Sequence, residues 1–263
     1  MNSLLAAAAS LLVFCAPGYP GAQGDAQPLV DEFAAAVTKA AGLPENSLAA
    51  VYDADEKSDL ARLANPDAVL AFVPWPFYVQ HGAELRLKPL AQADVAPMGT
   101  VQRWALVAKS GHAPPPAGLA GINLISTAGY APAFVREAVS PGAPLPADTR
   151  ITASGQVLSG LRRAAGGEPV ALLLDQEQAA AVSGLPFAAQ LQTLATSRPV
   201  PVALIVVVGD RLPAAKAKAI KDALLKLGGS PQGAATLGRL RLKGFAAPVL
   251  PEAGHQGAPA GAP

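Results

Sequence analysis

The chain of 263 residues has a single cysteine, Cys15. An internal disulfide is therefore excluded, although export is not. Histidine is almost as scarce. His81, His112 and His255 lie far apart, beside Gly- or Pro-rich stretches. With no CxxC, HExxH or His cluster, we expect no metal site and no cofactor. Charged residues make up only 15%, and the net charge is +1. No basic stripe marks a nucleic-acid surface. The chain is instead 51% hydrophobic, with few aromatics and with 25 Gly and 26 Pro. That composition is globular rather than disordered, and the length allows one large domain or two smaller ones.

Catalytic signatures are missing as well. No GxSxG is present to form a nucleophile elbow, and no P-loop or GxGxxG opens a helix. No spacing suggests a Ser-His-Asp set. We therefore expect a protein without a catalytic step. A hydrolase is kept as a lesser alternative, because spacing alone does not exclude one.

Apolar runs alternate with helical patterns along the chain. Strands are expected at Leu48–Tyr52, Ala68–Val73, Leu85–Ala91, Trp104–Lys109, Ile122–Ile125, Thr149–Thr152, Val170–Leu174 and Val202–Val208. Helices are expected at Gln27–Ala41, Glu56–Ala64, Ala131–Ser140, Gly155–Ala164, Gln176–Val182 and Pro213–Leu227, with a short helix or turn at Pro74–Gly82. Such alternation predicts an α/β fold with largely parallel strands. Two long extended stretches, 85–109 and 191–208, lack helices and suit crossings between two α/β lobes. Lys216, Lys218, Lys221 and Lys226 fall on one side of their helix and read as a solvated face. Residues 249–263 are Gly, Pro and Ala with few anchors and are expected to form a disordered tail.

The N-terminus has two readings. Leu4–Ala16 is apolar, too short to span a bilayer, and could serve as an export h-region. Alternatively, Ser10–Ala16 is a buried first strand, followed by a Pro17–Gly21 loop. The second reading fits better, and it puts the start of translation upstream of Met1.

The most informative segment is Ile122–Pro132. A short apolar strand runs into Ser126-Thr127-Ala128-Gly129-Tyr130, and a helical pattern follows. Two hydroxyls and several free N–H groups at a helix N-terminus would suit an anion. The alternative is an ordinary N-cap.

Four features resemble a known family. They are the Pro-Gly-Tyr-Pro-Gly loop after the first strand, the run Ala71 to Tyr78, the turn Ser126 to Tyr130, and the C-terminal run from Asp222 through Ser230-Pro231-Gln232-Gly233 to Lys243-Gly244-Phe245. Together they resemble the periplasmic binding proteins of phosphate, phosphite and phosphonate ABC transporters. Ala128 stands where that family usually carries a third hydroxyl.

The resemblance implies a bilobal type II periplasmic-binding-protein fold. Lobe 1 would be 10–102 plus 201–248, and lobe 2 would be 103–200. It also implies a monomer in the periplasm that closes on a small anionic solute and hands it to an ABC permease. A sensing or interaction module on the same fold is the alternative. Ligands in such folds lie outside the carboxyl ends of parallel strands. The candidate ligand-binding residues are therefore Tyr19, Tyr78, Ser126, Thr127, Ala128, Gly129, Ser154, Gln156 and Asp175. Tyr19, Trp75 and Tyr78 would wall an apolar part of the ligand, with core packing the alternative for Trp75. Asp175 would meet a cationic group or cap the next helix.

Overall fold

The computed structural model describes residues 10–18 and 23–251. The strands are β1 (Ser10–Cys15), β2 (Leu48–Asp53), β3 (Ala68–Pro74), β4 (Leu87–Val95), β5 (Val101–Gln102), β6 (Ala105–Lys109) and β7 (Asn123–Ser126). They continue with β8 (Arg150–Ala153), β9 (Val170–Leu174), β10 (Leu191–Thr196), β11 (Val200–Pro201), β12 (Ala203–Val208) and β13 (Leu242–Ala246). The helices are α1 (Gln23–Ala40), α2 (Glu56–Ala64), α3 (Trp75–His81), α4 (Pro132–Val139), α5 (Val157–Gly166), α6 (Gln176–Ala181), α7 (Ala214–Leu227) and α8 (Pro231–Arg239).

The chain divides into two compact units. One holds the described residues of Met1–Gln102 and Pro201–Val249, the other those of Arg103–Val200 and Leu250–Pro263. In the first unit six strands form one sheet in the order β13-β4-β12-β3-β1-β2. The apolar run Leu11–Cys15 is its interior strand. Leu12 pairs with Ala50 on one side and with Leu70 on the other, both in parallel register. The buried-strand reading of this segment is thus correct. Both faces of β1 are covered, so it reads as a continuous apolar run rather than an alternating one. Phe14 meets Phe33 of α1 edge-on at 5.5 Å and stacks on Phe72 at 5.2 Å. Leu12, Val30, Leu70, Ile205, Ile220 and Leu224 extend the same core.

The second unit carries a five-stranded sheet in the order β10-β6-β9-β7-β8. Val170–Leu174 is wholly buried at its centre. Leu161, Ala164 and Ala165 bring α5 onto one face, and Trp104 meets Phe134 of α4 edge-on at 5.1 Å. Gly167 ends α5 at φ 92°, a left-handed position that glycine adopts without a Cβ penalty.

The expectation of largely parallel strands needs correction. β1, β2 and β3 are parallel, as are β7, β8 and β9. However, β4, β12 and β13 join the first sheet antiparallel, and β6 and β10 join the second antiparallel. Each of these parallel strands is followed by a helix, although antiparallel β12 also leads into α7. The antiparallel ones come from the long extended stretches and from the C-terminal strand β13, whose pairing is long-range and leaves no local periodicity.

Candidate anion-binding site

The described candidate positions follow the carboxyl ends of parallel strands. Tyr78 belongs to the first unit. Ser126 to Gly129, Ser154, Gln156 and Asp175 belong to the second. Tyr19 lies outside the described residues.

In the second unit the register brings the candidates together. Ser126 ends β7 and pairs with Ala153 at the end of β8. Ser154 N–H then donates to Ser126 O at 3.0 Å. On the other side, Ser126 Oγ donates to Leu173 O of β9 at 2.7 Å, two residues before Asp175. One edge of the sheet thus holds the Ser126–Gly129 turn, Ser154 and Asp175.

The donors in that turn point inward. Ser126 is 1% exposed, and its Oγ accepts from Ala128 N–H at 3.1 Å. Gly129 N–H donates to Ser126 O at 3.1 Å. The expectation that the Ala128 and Gly129 amides are free for an oxyanion is therefore corrected: both are engaged in closing the turn. Helix α4 starts only at Pro132, with Ala131 as an N-cap that makes no side-chain bond. Ser126 and Thr127 lie outside its first turn, where the helix dipole has largely fallen away. They act neither as caps nor as groups on a helix N-terminus.

Gly129 has a packing reason. A Cβ there would lie 2.4 Å from Ala153 N and 2.5 Å from Thr152 O. Any side chain would push the turn off the end of β8.

Thr127 is different from its neighbours. It is 4% exposed, and its Oγ1 is buried with no hydrogen-bond partner. An unpaired buried hydroxyl costs about 1–3 kcal/mol, a cost that an incoming acceptor would remove. Ser154 is half-buried and accepts from Gln156 N–H at 3.1 Å, while Gln156 itself is exposed.

Asp175 is 5% exposed and caps α6 through a complete capping box. Its Oδ1 accepts from Gln178 N–H at 2.8 Å, and Gln178 Oε1 accepts from Asp175 N–H at 3.2 Å. Burial raises its pKa, opposed by the backbone bonds it accepts. The geometry is that of the capping alternative.

In the first unit, Trp75 opens α3 at the end of β3 and is 7% exposed, which is core packing. Tyr78 is half-buried and stacks on Trp75 at 5.3 Å with 29° between the rings. Burial raises its phenol pKa. Sequence reasoning missed Arg103 and Trp104, at the same edge of the second sheet as Ser126 and Asp175. Their signal is weak, because only the antiparallel pairing of β6 with β9 brings them there.

Among the described residues no group of three or more His, Cys, Asp and Glu is disposed to hold a metal. No described helix is long and apolar enough to cross a membrane.

Comparison with known proteins gives this geometry a family context. The chain aligns along most of its length with a Xanthomonas citri protein bound to ATP, at TM-score 0.67 and 14% identity, covering 92% of each chain. This is the type II periplasmic-binding-protein fold. A binding protein component of an ABC phosphonate transporter from Pseudomonas aeruginosa aligns at TM-score 0.57 and 15% identity, over 91% of this chain and 82% of that one. PhnD1 from Prochlorococcus marinus, in complex with methylphosphonate, aligns at 0.56 and 14%, over 91% and 93%. Residues 152–250 match the family described as the periplasmic substrate-binding protein of the phosphonate ABC transporter. That family is one of binding proteins, not enzymes, and the resemblance read from the residues is to the same family. No curated protein matches in sequence.

Proposed function

We propose that the protein is a solute-binding protein that captures a small phosphonate-like anion in the periplasm, as a monomer, and delivers it to an ABC permease. The family match over residues 152–250 carries this reading. The unpartnered Thr127 hydroxyl at the carboxyl edge of the second sheet supports it. Ser154 and Gln156 would add polar contacts from the neighbouring strand end.

A melting experiment tests the proposal. A ligand that binds only the folded chain at about one hundred times its Kd adds about 2.7 kcal/mol of stability. Methylphosphonate, phosphite and phosphate should therefore raise the melting temperature, and a simple carboxylate such as acetate should raise it less.

A second reading is favoured by the inward-facing amides of Ala128 and Gly129. On it, the fold serves as an interaction or sensing module that has stopped binding small anions. That reading predicts no melting shift with any anion in the panel.

A further inference from the structure

An anion arriving at the edge of the second sheet needs a donor that solvent can reach. The Ser126 hydroxyl and the Ala128 and Gly129 amides are engaged within the fold, and Thr127 Oγ1 is shielded. Arg103 is exposed. It stands just before β6, which pairs Ala105 with Leu174 at the end of β9. Arg103 therefore lies level with the start of α6, where its N–H donates to Gln176 Oε1 at 3.4 Å.

The guanidinium is anchored but not neutralised. Its Nη1 donates to Ser197 O at 2.9 Å, which fixes the side chain against the strap after β10. It forms no ion pair with any described carboxylate, whereas Arg163 and Arg198 in the same unit are paired with Glu168 and Glu137. Most of its N–H groups have no partner among the described residues. A planar fork of donors held by one bond is preorganised for two oxygens of a single group.

Trp104 adds an independent observation. It is 1% exposed, yet its indole N–H has no partner. Buried indoles normally find one. Together with Thr127, it gives this edge two buried donors without acceptors.

We propose that Arg103 is the charge-bearing contact for the oxyanion, forking two oxygens of a phosphonyl or phosphoryl group. This rests on the anion-binding reading above. Arg103 is the group the anion meets first, and Thr127 turns its hydroxyl outward to a third oxygen afterwards. Binding then depends on a side chain that belongs to neither the Ser-Thr turn nor a helix terminus. Affinity should fall with ionic strength, as for any exposed charged contact.

Calorimetry with methylphosphonate and inorganic phosphate on the full chain tests this. Arg103→Gln should weaken binding by roughly ten- to a hundred-fold, the loss of a charge-assisted contact. Arg103→Lys, which keeps the charge and loses the fork, should fall between that variant and the native chain. Both variants lose the guanidinium bond to Ser197 O, so the melting temperature without ligand should fall slightly in each while the chain stays folded, and affinity is compared on folded protein. Native affinity in Arg103→Gln, with Thr127→Ala still weakened, would overturn the role of Arg103 and leave the binding reading standing. If the native chain binds neither probe, the binding reading fails and the Arg103 contact fails with it.

Discussion

Asp59 lies one turn into α2 with no exposed surface, and neither carboxylate oxygen meets a hydrogen-bond partner. Its pKa is raised to about 8. Burial is the main cause, contact with the Cys15 thiol opposes it, and the negative Asp53, Asp55 and Glu56 add to it. The folded chain thus keeps a proton up to about pH 8 that the unfolded chain releases near about pH 4. Between those values the folded state binds more protons, so stability falls as pH rises. The contribution is complete below about pH 4 and lost by the time pH passes about 8. Asp59→Asn keeps the shape of the protonated acid and cannot ionise. Its melting temperature should exceed that of the native chain by a growing margin from pH 5 to pH 8. A constant difference across that range would show that Asp59 is not the titrating group. Thr127→Ala makes the opposite kind of test. It removes a hydroxyl that bonds nothing in the fold, so stability without ligand should not drop, while affinity for methylphosphonate should fall about ten- to a hundred-fold. The sequence showed Glu56–Ala64 as a helix but not which of its acids is buried. Burial of Asp59 comes from packing against β1 and β3, and nothing in the local pattern marks it.

Among elements, the caps and close approaches decide how the site edge is held. Asp175 was legible as either a cation ligand or a cap, because both need a carboxylate after an apolar strand, and its bonds to Gln178 form the capping box. Asp175→Ala should cost about 0.5–2 kcal/mol of stability through loss of the cap. Chemical denaturation reads that change directly. A loss of affinity with unchanged stability would restore the ligand role. Gly129→Ala should be destabilising too, because the new methyl meets the backbone of β8 rather than a side chain that could move. Its cost should be about 1–3 kcal/mol, as for overpacking elsewhere. The helices α2 and α7 and the strands β9 and β12 were legible because each is a long, strongly periodic or wholly apolar run. The four-residue turn between β7 and α4 was not. Its bonds run from Ser126 to β9 and to its own amides, and the sequence alone reads the same residues as a helix start.

For the whole molecule, the alternation of strands and helices was enough to give the α/β class, and four short motifs carried the resemblance to periplasmic binding proteins. What it hid was the antiparallel addition of β6, β10, β12, β4 and β13. These strands join partners distant in sequence, so their direction is set by the topology and not by any local signal. That addition also places Arg103 beside the Asp175 cap, which is why no cationic group was expected at the site. The central claim is that the chain binds a small tetrahedral oxyanion. Titration calorimetry of the native chain with methylphosphonate at low ionic strength tests it most directly. The account predicts saturable binding with one site per chain, weakened as salt is added. Heats no larger than dilution at every concentration, with an unchanged melting temperature, would contradict it.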